Sequence, residues 1–310
     1  MTATLVPTGV RHGASPTAEA AGRGFLLRSF ARPTWWVEIL ILAVLYGVYS
    51  LVRNSVGDVV AQAYANGREI LAVEDAWSLA LERGLNDWVH RTDVIAGAVA
   101  LHYATLHFLV TPAVLAWLFV RRPTRYRAAS GILMVTTALA LIGFYWLPTA
   151  PPRLLADEGF VDVMSQTSAW GWWPASGSPG SDAISNQFAA MPSLHCAWAA
   201  WCGVVLVLLV RRTWVRVVAL VYPVSTFFVV LGSGNHYLLD VLAGVVVLCV
   251  GAAVVQVAGS AGGRLPGPGR APADDADVLV SRVERLFPTR PSQSPHRRRA
   301  PGQGPAAWRD

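Results

Sequence analysis

The chain has 310 residues, 54% hydrophobic and only 14% charged, with 13 tryptophans and a formal net charge of +6. That balance excludes an ordinary soluble globule and predicts an all-α integral membrane protein. All 25 basic residues are arginine, which excludes chemistry that needs a lysine.

Residues 1–34 are Gly/Ala/Arg-rich and read as a disordered basic N-terminus. They do not read as a cleavable signal, because a full apolar span follows without a small-residue cleavage site. Six apolar runs of roughly 16 to 27 residues, around the ~20 needed to cross the hydrocarbon, fall at about Trp35–Val52, Val94–Val120, Ala128–Leu147, His195–Val210, Trp214–Leu231 and Tyr237–Ala258. Residues 35–258 are thus expected to form a six-span membrane domain. From about Gly259 to the end the chain is a Gly/Pro/Arg-rich tail, read as disordered apart from a short helix over "DADVLVSRVERLF". The "PHRRRA" stretch suits anionic membrane lipid better than nucleic acid. Cys196, Cys202 and Cys249 all lie in apolar runs, with no metal spacing and no disulfide framework.

Arginine placement sets the expected orientation. The loops "RRPTRYR" and "RRTWVR" hold four and three arginines and no acid. Residues 53–93 hold four arginines against seven acids, and residues 148–194 hold Arg153 against four acids. Basic and acidic loops alternate strictly. Both termini are therefore expected in the cytoplasm of a multi-pass cell-membrane protein, with the two acidic loops outside.

The first outer loop carries "REILAVEDAWSLALERGLNDWV", in which Ile70, Val73, Trp77, Leu81, Leu85 and Trp88 recur every three or four residues. The spacing predicts one amphipathic helix on the outer interface, with the acids on its other side. A lid over a lipid entry site and an interfacial anchor both fit that pattern. "HYATLH" puts Tyr103 and His107 four apart in the second span, where a substrate-facing patch and ordinary packing are both open. "WGWWP" reads as an interfacial aromatic belt.

Three outer-face stretches can carry chemistry. In "LPTAPPRLL" two prolines stiffen an extended turn holding Arg153, whose guanidinium can fork onto phosphate oxygens or snorkel to headgroups. In "NQFAAMPSLHCAWAAW" Ser193 stands at a helix N-cap position with His195 in the first turn, and such a terminus attracts anions. In "GSGNHYLLD" His236 and Asp240 lie four apart and so share a helix face, where a carboxylate can fix the imidazole's tautomer. Ionisable groups this close to hydrocarbon are costly and seldom incidental.

The ordered set "APPR", "PSLH" and "GNHYLLD" resembles the type 2 phosphatidic acid phosphatase superfamily, and more narrowly its inositol phosphorylceramide synthase-like branch with bacterial relatives. The likeness covers about residues 35 to 258. It implies that His236 attacks phosphorus to give a phosphohistidine, that Asp240 orients it, and that His195 protonates the leaving oxygen. It further implies that Arg153 and Ser193 hold the phosphate and that no metal or other cofactor takes part. Tyr103, His107 and Asn235 become candidates for the substrate pocket. The chain departs from the broader superfamily in lacking the upstream lysine and in having Val229 and Val230 where a Ser-Arg pair stands.

The expected activity is transfer of a phosphoryl or phospho-headgroup from a lipid phosphoester, at the outer membrane face, to water or to an alcohol such as inositol. Water would make the protein a hydrolase and an alcohol a phosphotransferase, and the residues leave that choice open. Two other classes stay in view: a non-enzymatic lipid-binding or scrambling protein, and a haem-binding electron carrier using His102, His107, His195 and His236.

Overall fold

The computed structural model describes residues 59–174 and 187–262, together with nine helical positions between Trp36 and Val48. Both termini, half of the expected first span and residues 175–186 therefore lie outside the described residues. Those described belong to one unit, Met1–Arg264. They are helical, with no strand among them and one isolated bridge between Thr149 and Ala189. The helices are α1 (Val60–Ala76), α2 (Leu81–His90), α3 (Asp93–Arg121), α4 (Pro123–Trp146), α5 (Val163–Gln166), α6 (Leu194–Leu209), α7 (Thr213–Gly232) and α8 (Leu238–Gly262).

Four helices are long and apolar enough to cross a membrane: Asp93–Arg121, Pro123–Trp146, Thr213–Gly232 and Leu238–Ala258. Their outward residues, among them Val94, Phe108, Val217, Phe228 and Val246, are large and apolar, as a lipid-facing surface requires. The helix α6 is apolar but has only 16 residues, about 24 Å at 1.5 Å per residue. It meets composition but not length, so the described residues hold four candidate spans rather than six.

The helices pair through short, basic turns. Pro123 occupies the first position of α4, where its missing N–H costs nothing. Arg122 reaches from the α3–α4 turn to the carbonyl of Leu209 at the end of α6 (3.4 Å). That end of the bundle is packed by Leu118, Tyr126, Leu133, Trp201 and Leu248. At the other end Tyr103, Cys196, Val230 and Val241 close the core, and every motif carrying chemistry gathers there.

The expected single amphipathic helix over residues 68–89 is corrected in two respects. It is two helices, broken at Trp77–Ala80, where Ser78 takes a positive φ of 57°. Two of the acids that the spacing sets on its polar side, Glu74 and Glu82, are also buried. Val73, Trp77, Leu81 and Trp88 are exposed, while the buried line runs Ala63, Gly67, Leu71, Glu74, Glu82, Asn86 and Val89. The reason is backbone demand from neighbouring loops. The Asn86 side chain donates to the carbonyls of Val161 and Gly232 (both 3.0 Å) and accepts from the Val161 amide (2.9 Å). Polar groups are buried where they satisfy otherwise orphaned backbone. At Gly67 a Cβ would come within 2.8 Å of both the Ala150 carbonyl and the Tyr237 hydroxyl, so only glycine admits this approach.

Candidate active site

The site is assembled from three chain segments stitched by backbone hydrogen bonds. The chain leaving α4 pairs with the chain entering α6: Thr149 donates to Phe188 (2.7 Å) and Ala190 donates back to Thr149 (3.3 Å). Ser193 donates its amide to the carbonyl of Asp240 (3.0 Å), and Arg153 donates its amide to that of Gly234 (2.7 Å). Gly234 has φ +73°, the left-handed conformation that glycine alone adopts freely. The "APPR", "PSLH" and "GNHYLLD" stretches are thereby held against one another.

His236 lies between α7 and α8 and is 4% exposed. Its Nδ1 stands 2.8 Å from the carbonyl oxygen of Ala190 and 3.3 Å from Oδ2 of Asp240. Both partners are acceptors, so Nδ1 carries the proton and Nε2 of the neutral ring keeps its lone pair. Asp240, fully buried, also accepts the Tyr237 amide through the same oxygen (2.9 Å). It therefore caps the start of α8 while it faces the imidazole.

The ring of His195 lies 5.9 Å from that of His236, centroid to centroid, at 62°. It stacks on Tyr103 (4.4 Å, 26°) and meets His107 edge-on (4.3 Å, 77°). Its Nε2 is buried and has no hydrogen-bond partner among the described residues. Two imidazoles, one with a free lone pair and one with an unengaged nitrogen, are what stepwise nucleophilic displacement with proton transfer needs.

Ser193 is fully buried and caps α6, its Oγ accepting the Cys196 amide (3.4 Å). Its hydroxyl proton is not consumed by that bond and remains able to donate. Arg153 is 5% exposed and its Nη1 pairs with Asp162 Oδ2 at 2.6 Å. The snorkelling alternative does not describe it, since the side chain runs inward. Asp162 is held in turn by accepting the Ser165 amide as the N-cap of α5.

Tyr103 and His107 line a narrow cleft together with His102, His195, Tyr222, Thr226, Val229 and Val230. His107 donates Nδ1–H to the Tyr103 carbonyl (3.0 Å). Asn235 is not in that lining; its amide donates to the Ser233 hydroxyl (2.9 Å). Val229 and Val230, in place of a Ser-Arg pair, contribute apolar wall. Among the described residues no three His, Cys, Asp or Glu side chains form a metal-binding group.

Several members of this arrangement carry no sequence signal. The Ala190 carbonyl is a backbone group and no motif announces it. Asp162 is one acid among four in its loop. Asn86 and the buried Glu74 and Glu82 occupy positions that helical periodicity assigns to the polar side.

The family model of the PAP2 superfamily matches residues 68–254, more than half of the chain and all of the site just described. No curated protein and no solved structure matches significantly.

Proposed function

The chain belongs to the PAP2 superfamily, which makes it a phosphatase-type lipid phosphoesterase in general terms, and we propose that it works through a covalent phosphohistidine on His236. The observation that carries this reading is the double restraint on His236 Nδ1, which leaves Nε2 as the nucleophile. As the Nε2–phosphorus bond forms, the bond from phosphorus to the leaving oxygen breaks, and His195 gives that oxygen a proton. Arg153, the Ser193 hydroxyl and the open amides at the start of α6 supply positive potential to the phosphoryl oxygens. Asp240 stabilises the charge that develops on the imidazole. An incoming hydroxyl then gives its proton back to His195 and takes the phosphoryl group, and the nitrogen–phosphorus bond breaks.

The acceptor is an alcohol of the inositol kind in one branch of this reading and water in the other. The likeness to the inositol phosphorylceramide synthase branch favours the first, and the simplest chemistry favours the second. The reaction takes place at the outer membrane face. The basic turns at Arg121–Arg122 and Arg211–Arg212 lie at the opposite end of the helices from His195 and His236, which supports that orientation.

The test is a trapping experiment. Full-length protein in detergent is offered lipid phosphoesters labelled at phosphorus, with and without inositol, and denatured without acid. A label stable to base, labile to acid and missing in His236→Ala supports the reading. Label that persists in His236→Ala overturns it. Free phosphate as the only product assigns hydrolysis, and a new inositol phosphoester assigns transfer.

A further inference from the structure

Glu74 on α1 and Glu82 on α2 are each 0% exposed, although periodicity puts both on the solvent side of an amphipathic helix. They stand either side of the Trp77–Ala80 turn and face the first turn of α8. Glu74 Oε1 accepts the amide of Leu239 at 2.6 Å, the residue directly before Asp240. The other three carboxyl oxygens, Glu74 Oε2 and both of Glu82, are buried and receive no donor from surrounding groups. The two carboxyls are close enough to act on each other's ionisation, and a hydrogen bond between two carboxyls exists only if one of them carries a proton. Two ionised carboxylates so buried would be very costly, whereas a carboxylic acid donating to a carboxylate satisfies both.

The start of α8 needs this help. The first amides of a helix have no acceptor within it. Asp240 Oδ2 takes the Tyr237 amide and shares itself with His236 Nδ1, so it does not serve Leu239. Glu74 supplies the missing acceptor from another helix. We propose that Glu74 and Glu82 are positioning residues, a proton-sharing carboxyl pair that clasps the first turn of α8 and keeps Asp240 and His236 in register while the proton is present.

The charged and titratable groups around the pair are Asp240 and Tyr237 beside α8, and Arg83 on α2. Arg83 is engaged with the Glu158 carbonyl and with Asp75, so it does not neutralise the pair. Burial first, then the hydrogen bond with Glu82, pushes Glu74 up to about 9. Burial also raises Glu82, against the lowering effect of its bond with Glu74. A folded-state value raised above the unfolded one means stability that is complete at low pH and lost as pH climbs through the folded value. Deprotonation adds a second negative charge next to Asp240, and the α1–α2 hairpin loosens its hold on α8.

The catalytic consequence rests on the phosphohistidine reading, but the titration of the pair does not, and the experiment separates them. Infrared spectra of the full-length protein in detergent should contain a protonated-carboxyl C=O band at neutral pH that disappears near pH 9, and the Glu74→Gln, Glu82→Gln double variant should lack it. Wild-type unfolding temperature should fall as pH rises from about 7 to about 10, and that of the double variant should stay nearly flat. Turnover of bis(4-nitrophenyl) phosphate should drop about tenfold in kcat between those pH values, one unit beyond the midpoint, with KM little moved. In Glu74→Gln, whose amide can still accept from Leu239 and donate to Glu82, that alkaline loss should shrink to about twofold or less. No protonated-carboxyl band in the wild type, or an alkaline loss identical in Glu74→Gln, overturns the proposal. Absence of turnover with the band and the unfolding shift intact removes the phosphohistidine reading and leaves the proton-sharing clasp standing.

Discussion

His236 donates its Nδ1 proton to the carbonyl oxygen of Ala190 over a shorter distance, 2.8 Å, than separates it from Asp240, 3.3 Å. A backbone carbonyl cannot ionise, so it fixes the tautomer at every pH but adds no full charge. In the proposed reaction the carboxylate contributes what the carbonyl lacks, a negative charge beside a ring that becomes positive. Orientation and charge stabilisation are thus divided between two groups on different segments.

That division sets the size of one mutational effect. In a Ser-His-Asp triad, neutralising the acid costs about 10⁴-fold, largely because the wrong tautomer forms. Here the Ala190 carbonyl still holds the proton on Nδ1, so Asp240→Asn should cost on the order of 10²-fold in kcat. The amide oxygen can also keep accepting the Tyr237 amide, so the fold should survive. A loss near 10⁴-fold would mean that Asp240 alone fixes the tautomer; near-normal turnover would remove it from the site.

For His195 the discriminating variable is the leaving group. Its unengaged Nε2 is buried and its ring lines the cleft near His236, and the proposed reaction has it protonate the departing alkoxide. General acid help contributes roughly 10²–10⁴-fold, so His195→Ala should lose that much on an alkyl phosphoester. On a nitrophenyl diester, whose leaving group departs without a proton, the loss should be far smaller. Equal losses on both would make His195 a packing partner of Tyr103 and His107.

Legibility in the sequence divides along physical lines. Helices α3, α4, α7 and α8 were readable because lipid imposes long apolar runs that packing inside a soluble core does not. The motifs were readable because Ser, His, Asp and Arg are rare at such places. His195, His236, Asp240, Arg153 and Ser193 do converge on one end of the bundle. Periodicity at α1 and α2 found the apolar line but neither the break at Trp77–Ala80 nor the acids that turn inward. Glu74 and Asn86 turn inward because they serve backbone groups of neighbouring segments, a demand that helical spacing does not encode. The Ala190 carbonyl was invisible for a different reason, since every residue has one and only the fold selects it.

Orientation has its own test. Ala156 is exposed in the short turn that follows Arg153, between the site and the α5 helix. Of the three native cysteines two are buried and Cys249 is exposed on α8, so the background is Cys249→Ser. In that background Ala156→Cys should react with a membrane-impermeant thiol reagent on intact cells. Reaction only after permeabilisation would place the Arg153 turn, and with it the site, on the cytoplasmic side.

The Arg153–Asp162 pair yields the last prediction. The two side chains meet at 2.6 Å with the guanidinium almost wholly buried, and a buried cation is held either by its partner or by a substrate anion. Asp162 fixes the guanidinium's orientation, and in the proposed reaction its planar fork meets the phosphoryl oxygens, a geometry that lysine cannot copy. Arg153→Lys should therefore lower kcat/KM by about 10²-fold even though the charge is kept, in the range found when one oxyanion donor is removed. Asp162→Asn should act differently. It keeps an acceptor for the Ser165 amide but loosens the arginine, so KM for a phosphoester should rise several-fold with a smaller change in kcat. Measuring both parameters for both variants separates the roles. If Arg153→Lys keeps wild-type kcat/KM, the guanidinium is a structural partner of Asp162 and the phosphate is held elsewhere, by Ser193 and the start of α6.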